Sequence, residues 1–338
     1  MASTLREQSN FKRFLLPLKI LASILMLCWM FSTIEWPQIT QILLRVNGIW
    51  MAMALGWVVI SVGVSAYKWQ LILRASQLHV PLRVLWKTYW AGLFLNNFLP
   101  SSIGGDGLRI YWVSKVTGDM AGSTTSVVVE RVLATIGLCL TAILAILLTE
   151  VQTPHLLAFF GAVMFVGTLL LSFFLFHHFT GWLQKRLGFL PKAQSFLVGI
   201  IAHGMRLRNQ PSLMFYALIG SVLFQMSVVM VNWCIFKALS VTDLNPIDAA
   251  VIIPATSVAA MLPIGINGYG LREGAYIALF APLGISASIA LTASILFALL
   301  VSFSSLWGGW IWLKEGRRDV GEKRVPHDDR EASRPLFQ

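Results

Sequence analysis

Apolar residues run along the chain in long unbroken blocks, unlike the alternating or one-sided patterns of soluble strands and helices. Blocks cover residues 14–34, 48–73, 122–149, 155–176, 211–236 and 285–313. Each reaches the roughly 20 residues a helix needs to cross about 30 Å of hydrocarbon. Two shorter apolar stretches, 84–99 and 246–262, run directly into a repeated segment: LPSSIGGDGLR at 99–109 and LPIGINGYGLR at 262–272. Seven of the eleven positions are identical at an offset of 163. The repeat reaches further, because Trp69 precedes Pro100 by 31 residues and Trp233 precedes Pro263 by 30.

These blocks predict an all-α polytopic membrane protein. The expected architecture is about six full spans plus two re-entrant broken-helix hairpins. Residues 1–313 then form one transmembrane domain, with repeat one at about 48–149, repeat two at about 211–313, a linking span at about 155–176, and a disordered cytoplasmic tail at 314–338. Only 12% of residues are charged, about half the share of a soluble domain, so no sizeable soluble domain is expected. The first block follows Arg6, Lys12, Arg13 and Lys19 and ends in FSTIEW; it is long for a signal peptide and reads as an uncleaved span.

Charge chooses between topologies. The net charge of +11 could suit nucleic acid, but the basic residues lie in loops beside apolar blocks, where the positive-inside rule accounts for them. Eight full crossings would put the loop carrying Lys185, Arg186, Lys192, Arg206 and Arg208 outside. Two hairpins that leave by the side they entered place that loop inside, together with Lys68, Arg74, Arg83 and Lys87, and leave Arg45 and Lys237 outside. Three crossings then separate the hairpins, so the repeat is inverted, as in many transporters. Both termini are expected in the cytoplasm of a bacterial inner-membrane protein. Residues 190–208 read as an amphipathic helix on the cytoplasmic leaflet.

The motif has chemistry to offer. Pro100 and Pro263 end one half-helix, and glycines, among them Gly105 and Gly107 or Gly268 and Gly270, allow the turn. The next half-helix is expected to start near Gly107 or Gly270. Its free N–H groups would then point into a cavity beside Arg109 or Arg272, which suits a phosphate. Asn96, Asn97 and Asp106 are expected to line the first hairpin, and Asn267 and Tyr269 the second. Glu130 and Arg131, deep in their block, have Ala293 and Ser294 as counterparts; they either contact a headgroup or form an ion pair tying spans together. Glu273 follows Arg272 and can neutralise the second site when empty.

Other signals are bland. Cys28, Cys139 and Cys234 lie in apolar blocks at unrelated spacings, and His177-His178 reads as a solvated pair. The chain carries no GxSxG, HExxH, P-loop or kinase motif, and no cofactor, metal or nucleic acid is expected.

NNFLPSSIGGDGLRIYWVSK, then SVVVERV, then LPIGINGYGLREGAYIALF resemble the flippase-like family that includes the transmembrane region of lysylphosphatidylglycerol synthases, also labelled dolichol-phosphate-glucose synthetase-like. The resemblance covers about residues 14–313. It implies a lipid translocase fold with Arg109, Glu130, Arg131, Arg272 and Glu273 at matching positions. The soluble aminoacyl-transfer domain of the synthases is missing, so lipid lysylation is not expected. The expected function is alternating-access movement of an anionic phospholipid or polyprenyl-phosphate-linked sugar, without catalysis. The alternatives are a membrane glycosyltransferase, for which Glu35 is the candidate base, or a lipid-holding partner of a glycosyltransferase or lipid-modifying enzyme.

Overall fold

The computed structural model describes residues 41–98, 103–149, 154–175, 191–261 and 270–322. The described part is helical, with no strand: α1 (Gly48–Ala75), α2 (Leu82–Phe98), α3 (Ile103–Thr117), α4 (Met120–Leu148), α5 (Pro154–Leu175), α6 (Pro191–Arg208), α7 (Pro211–Ala238), α8 (Pro246–Met261), α9 (Leu271–Phe280), a 3-10 turn (Ala281–Leu283) and α10 (Ala287–Glu322). Five of these helices, α1, α4, α5, α7 and α10, are long and apolar enough to cross a membrane. The expected first span at 14–34, Glu35, His177-His178 and the motif positions 99–102 and 262–269, including Gly268, Asn267 and Tyr269, lie outside the described residues.

The 163-residue offset governs structure as well as sequence. Helices α1 and α7 begin at residues 48 and 211 and end at residues 75 and 238, and they close with the same cap. Leu78 N–H returns to Leu73 C=O at 2.8 Å and Val241 N–H to Phe236 C=O at 3.0 Å, with Gln77 and Ser240 each at φ 64°. This is a Schellman ending built on a non-glycine left-handed residue, a conformation that costs about 1–2 kcal/mol and recurs at equivalent positions.

The two helices pack side by side and antiparallel. Asn47 N–H at the start of α1 donates to Ala238 C=O at the end of α7, 3.0 Å away, while Arg206, just before α7, reaches Ser76 C=O at the other end. The two helical hairpins open toward opposite ends of this pair. The mouth of α2–α3 packs with the end of α1 through Leu73, Leu78, Leu85 and Val113. The mouth of α8–α9 packs with the end of α7 through Leu239, Leu244, Phe280 and Ile285.

Each hairpin also packs on the last helix of the other repeat, α2 on α10 and α8 on α4. Small residues permit the approach, as they do between membrane helices generally: a Cβ on Gly308 would lie 1.9 Å from Trp90 C=O. At about 1.5 Å per residue, the ten residues of α9 extend only about 15 Å and cannot cross a bilayer.

Two expectations change. The half-helix after the first motif starts at Ile103 rather than near Gly107, one turn earlier, because Gly105 N–H is satisfied by Asn96 Oδ1 at 2.9 Å. The last helix continues past 313 to Glu322, into the start of the expected disordered tail; Lys87 Nζ meets Glu315 at 3.3 Å and ties this extension to α2.

Candidate functional site

The first hairpin is drawn tight where Gly92 of α2 faces Gly105 of α3: a Cβ on Gly105 would lie 2.1 Å from Gly92 C=O. A Cβ on Gly92 would in turn meet Arg109 Cγ at 3.0 Å, so the glycine leaves room for the arginine stem. Arg109, one turn further along α3, is buried. Its guanidinium carbon lies 4.3 Å from the Trp69 ring centroid and 4.4 Å from that of Tyr89, two cation–π contacts that stiffen its plane. Trp69 is itself fixed, donating from Nε1 to Ser126 Oγ at 3.1 Å.

Five charges converge here. Glu130 of α4 accepts from Arg109 at 3.1 Å and holds Lys68 of α1 at 2.7 Å. Asp106, in the first turn of α3, takes Arg109 at 3.3 Å and holds Arg131 through both carboxylate oxygens, at 2.8 and 3.0 Å. Three cations and two carboxylates leave one net positive charge. Lys68, Glu130 and Arg109 are at most 3% exposed, whereas Arg131 is 49% exposed. Arg109 Nε is buried without a hydrogen-bond partner among the described residues.

Beside the cluster lies a cavity of about 200 Å³. Arg109, Arg131 and Asn96 contribute its polar wall, and Val58, Phe224 and Phe297 are among its apolar lining. Lys68 is not in the lining; its Nζ lies 4.9 Å from the centroid of the Phe224 ring.

The second hairpin is built differently. Gly270, at φ 87°, caps α9, and Glu273 reaches back to its N–H at 2.7 Å. The same carboxylate takes Arg272 at 2.9 Å and Ser294 Oγ at 3.4 Å. The expected helix start at Gly270 is met, but its N–H is already occupied by Glu273. Arg272 lies 6.0 Å from the centroid of Phe297, the ring that also lines the cavity.

The structure therefore gathers Arg109, Arg131, Glu130, Asp106 and Gly105 at one site, and Arg272, Glu273 and Gly270 at another. Glu130 and Arg131 do not pair with each other; neighbours on a helix point about 100° apart, so Glu130 meets Lys68 and Arg109 while Arg131 meets Asp106. Asn97 turns away from the cluster, donating to Ser305 Oγ on α10 at 3.2 Å, and Gly107 faces open space.

Lys68 corrects the charge count above. It is a buried site residue and not a cytoplasmic one. An ionisable residue seven positions before the end of a spanning helix is a functional candidate by default, a signal the sequence did carry. Trp69 stood out only as a mark of the repeat, with nothing to show that its ring meets Arg109, and Tyr89 had no signal at all.

A comparison with curated proteins finds none that matches. The model of one family, the lysylphosphatidylglycerol synthase TM region, matches residues 16–308. That match covers most of the 338 residues, includes both hairpins and all five clustered charges, and joins the helical architecture described above. The chain belongs to the lysylphosphatidylglycerol synthase transmembrane-region family.

Proposed function

We propose that the protein moves an anionic lipid between the leaflets of a bacterial inner membrane, binding the headgroup phosphate at Arg109 and Arg131. The observation that carries this reading is a desolvated arginine, Arg109, lining a cavity with an unbonded Nε–H in a cluster of net positive charge. Such an arrangement is costly in a membrane unless an anion completes it. Guanidinium groups suit phosphate because their planar forks offer paired donors and stay charged when desolvated.

The two arginines divide the work. Arg109 is fixed by two rings and Glu130, while the more exposed Arg131 can exchange Asp106 for an incoming phosphate. The antiparallel packing of equivalent helices supports an inverted repeat, in which rocking the halves opens the Arg272 hairpin to the other leaflet. In the conformation described, Glu273 and Phe297 keep that second arginine from the cavity. Basic residues at the mouth of the first hairpin, including Arg74, Arg83 and Lys87, favour the cytoplasmic side for it. The mechanism assigns the chain no bond-making step. The cost avoided is that of taking a phosphate through hydrocarbon.

Proteoliposomes with a headgroup-fluorescent phosphatidylglycerol provide the test. In vesicles with protein, membrane-impermeant quencher removes signal beyond the outer-leaflet half; in protein-free vesicles it stops there. Arg131→Ala lowers the exchange rate about tenfold, the weight of one charge-assisted hydrogen bond. Binding without exchange would instead identify a lipid-holding partner.

A further inference from the structure

The repeat breaks its own symmetry at one seam. Helix α4 packs extensively against α7, whereas the equivalent pair, α10 and α1, touches at only a few positions. The cause is legible in two residues. Where α4 meets α7, Gly137 lies against Ser221, so closely that a Cβ on the glycine would be 2.7 Å from the serine Cβ and 2.8 Å from its carbonyl carbon. At the offset of 163 the counterparts are Leu300 and Val58. The small pair lets the α4 and α7 backbones close together, and the bulkier pair keeps those of α1 and α10 further apart, with apolar side chains packed between them.

What lies on either side of the wider seam gives it a use. On the inner side Val58, Leu93 and Val301 line the arginine cavity. On the outer side the next residues along the same three helices, Leu55 and Val59 of α1, Trp86 and Trp90 of α2, and Ser304 and Trp307 of α10, line a groove of about 510 Å³. Trp307 is 56% exposed and stacks on Trp310 with centroids 5.2 Å apart. The cavity alone, at about 200 Å³, takes a phosphate headgroup; an acyl or prenyl chain needs a way out.

We infer that the apolar chain of the bound lipid leaves the cavity through the α1–α10 seam and lies in the tryptophan groove. This rests on the headgroup reading above. It adds that the lipid enters sideways from the bilayer through one seam, and that only the headgroup is enclosed.

The test uses the wild-type protein in nanodiscs of zwitterionic lipid, with a phosphatidylglycerol bearing a diazirine near the end of one acyl chain. A second apolar groove, between α4 and α5 and lined by Val132, Phe159, Val163 and Leu170, serves as the control. Photolabel is expected on Trp86, Trp90 and Trp307 at about ten times the control groove, a preference worth about 1.4 kcal/mol. Excess glycerol phosphate, a headgroup without chains, is expected to abolish that preference and leave control labelling unchanged. Equal labelling of the two grooves, or labelling indifferent to glycerol phosphate that binds the cavity by calorimetry, overturns the chain path while the headgroup site stands. Failure of glycerol phosphate to bind removes the headgroup site and the chain path with it.

Discussion

Glu130→Gln is expected to destabilise the protein by about 3–5 kcal/mol, the cost of leaving buried charge uncompensated. The neutral amide would face Lys68 and Arg109, both buried and both cationic. Lys68 has no other acidic partner among the described residues, and Asp106, the other partner of Arg109, is already shared with Arg131. Three helices meet at this carboxylate, so the loss should appear as a large fall in thermal unfolding temperature in detergent. Adding Lys68→Met removes the surplus charge and is expected to restore most of the stability, since apolar replacements for buried ion pairs are often neutral. A Glu130→Gln protein as stable as wild type would show that the cluster is wet and its charges screened.

Arg109→Lys is expected to behave in the opposite way, folding normally and exchanging lipid about a hundredfold more slowly. The variant keeps the charge, and Glu130 keeps Lys68 while Asp106 keeps Arg131, so no buried group is orphaned. What it loses is the planar fork and the spare Nε–H. An ammonium cannot lie flat against Trp69 and Tyr89 while offering two parallel bonds to phosphate. Two charge-assisted bonds at about 1.5 kcal/mol each account for that factor. Exchange rates beside unfolding temperatures check it: an unchanged rate would mean that only the charge of Arg109 matters.

How much of this was legible in the sequence depends on what each residue had to report. The repeated eleven residues and the offset of 163 announced the duplication, and the paired caps at Gln77 and Ser240 obey the same offset. Apolar block lengths located the long helices, because crossing a bilayer fixes a length. The arginines and carboxylates stood out because charge is rare in such blocks. Lys68 was misplaced because a side count treats every lysine near a helix end as solvated, and only the fold brings Glu130 of α4 against it. The start of α3 was placed a turn late because Asn96, a side chain on another helix, satisfies Gly105. The partners of Glu130 and Arg131 were illegible for the same reason: helix facing is a tertiary property. The wider seam could be read only by pairing Gly137 with Leu300 and Ser221 with Val58, which has meaning once α4 and α7 are known to touch.

On the proposed reading, the asymmetry between the hairpins gives this conformation a place in a cycle. The first arginine faces a cavity, and the second is bound by Glu273 with its helix start already capped. On the translocase reading these are the open and closed members of one alternating pair, and in the opposite state the roles would be exchanged.

The two hairpin mouths are expected to face opposite sides of the membrane, and labelling of their rims decides it. With the native cysteines replaced, single cysteines at Val116, 54% exposed at the end of α3, and at Leu283, 39% exposed in the turn after α9, are treated with an impermeant maleimide in right-side-out and inverted vesicles. Cys at 116 is expected to react only in inverted vesicles and Cys at 283 only in right-side-out ones. Reaction of both from the same face would contradict it.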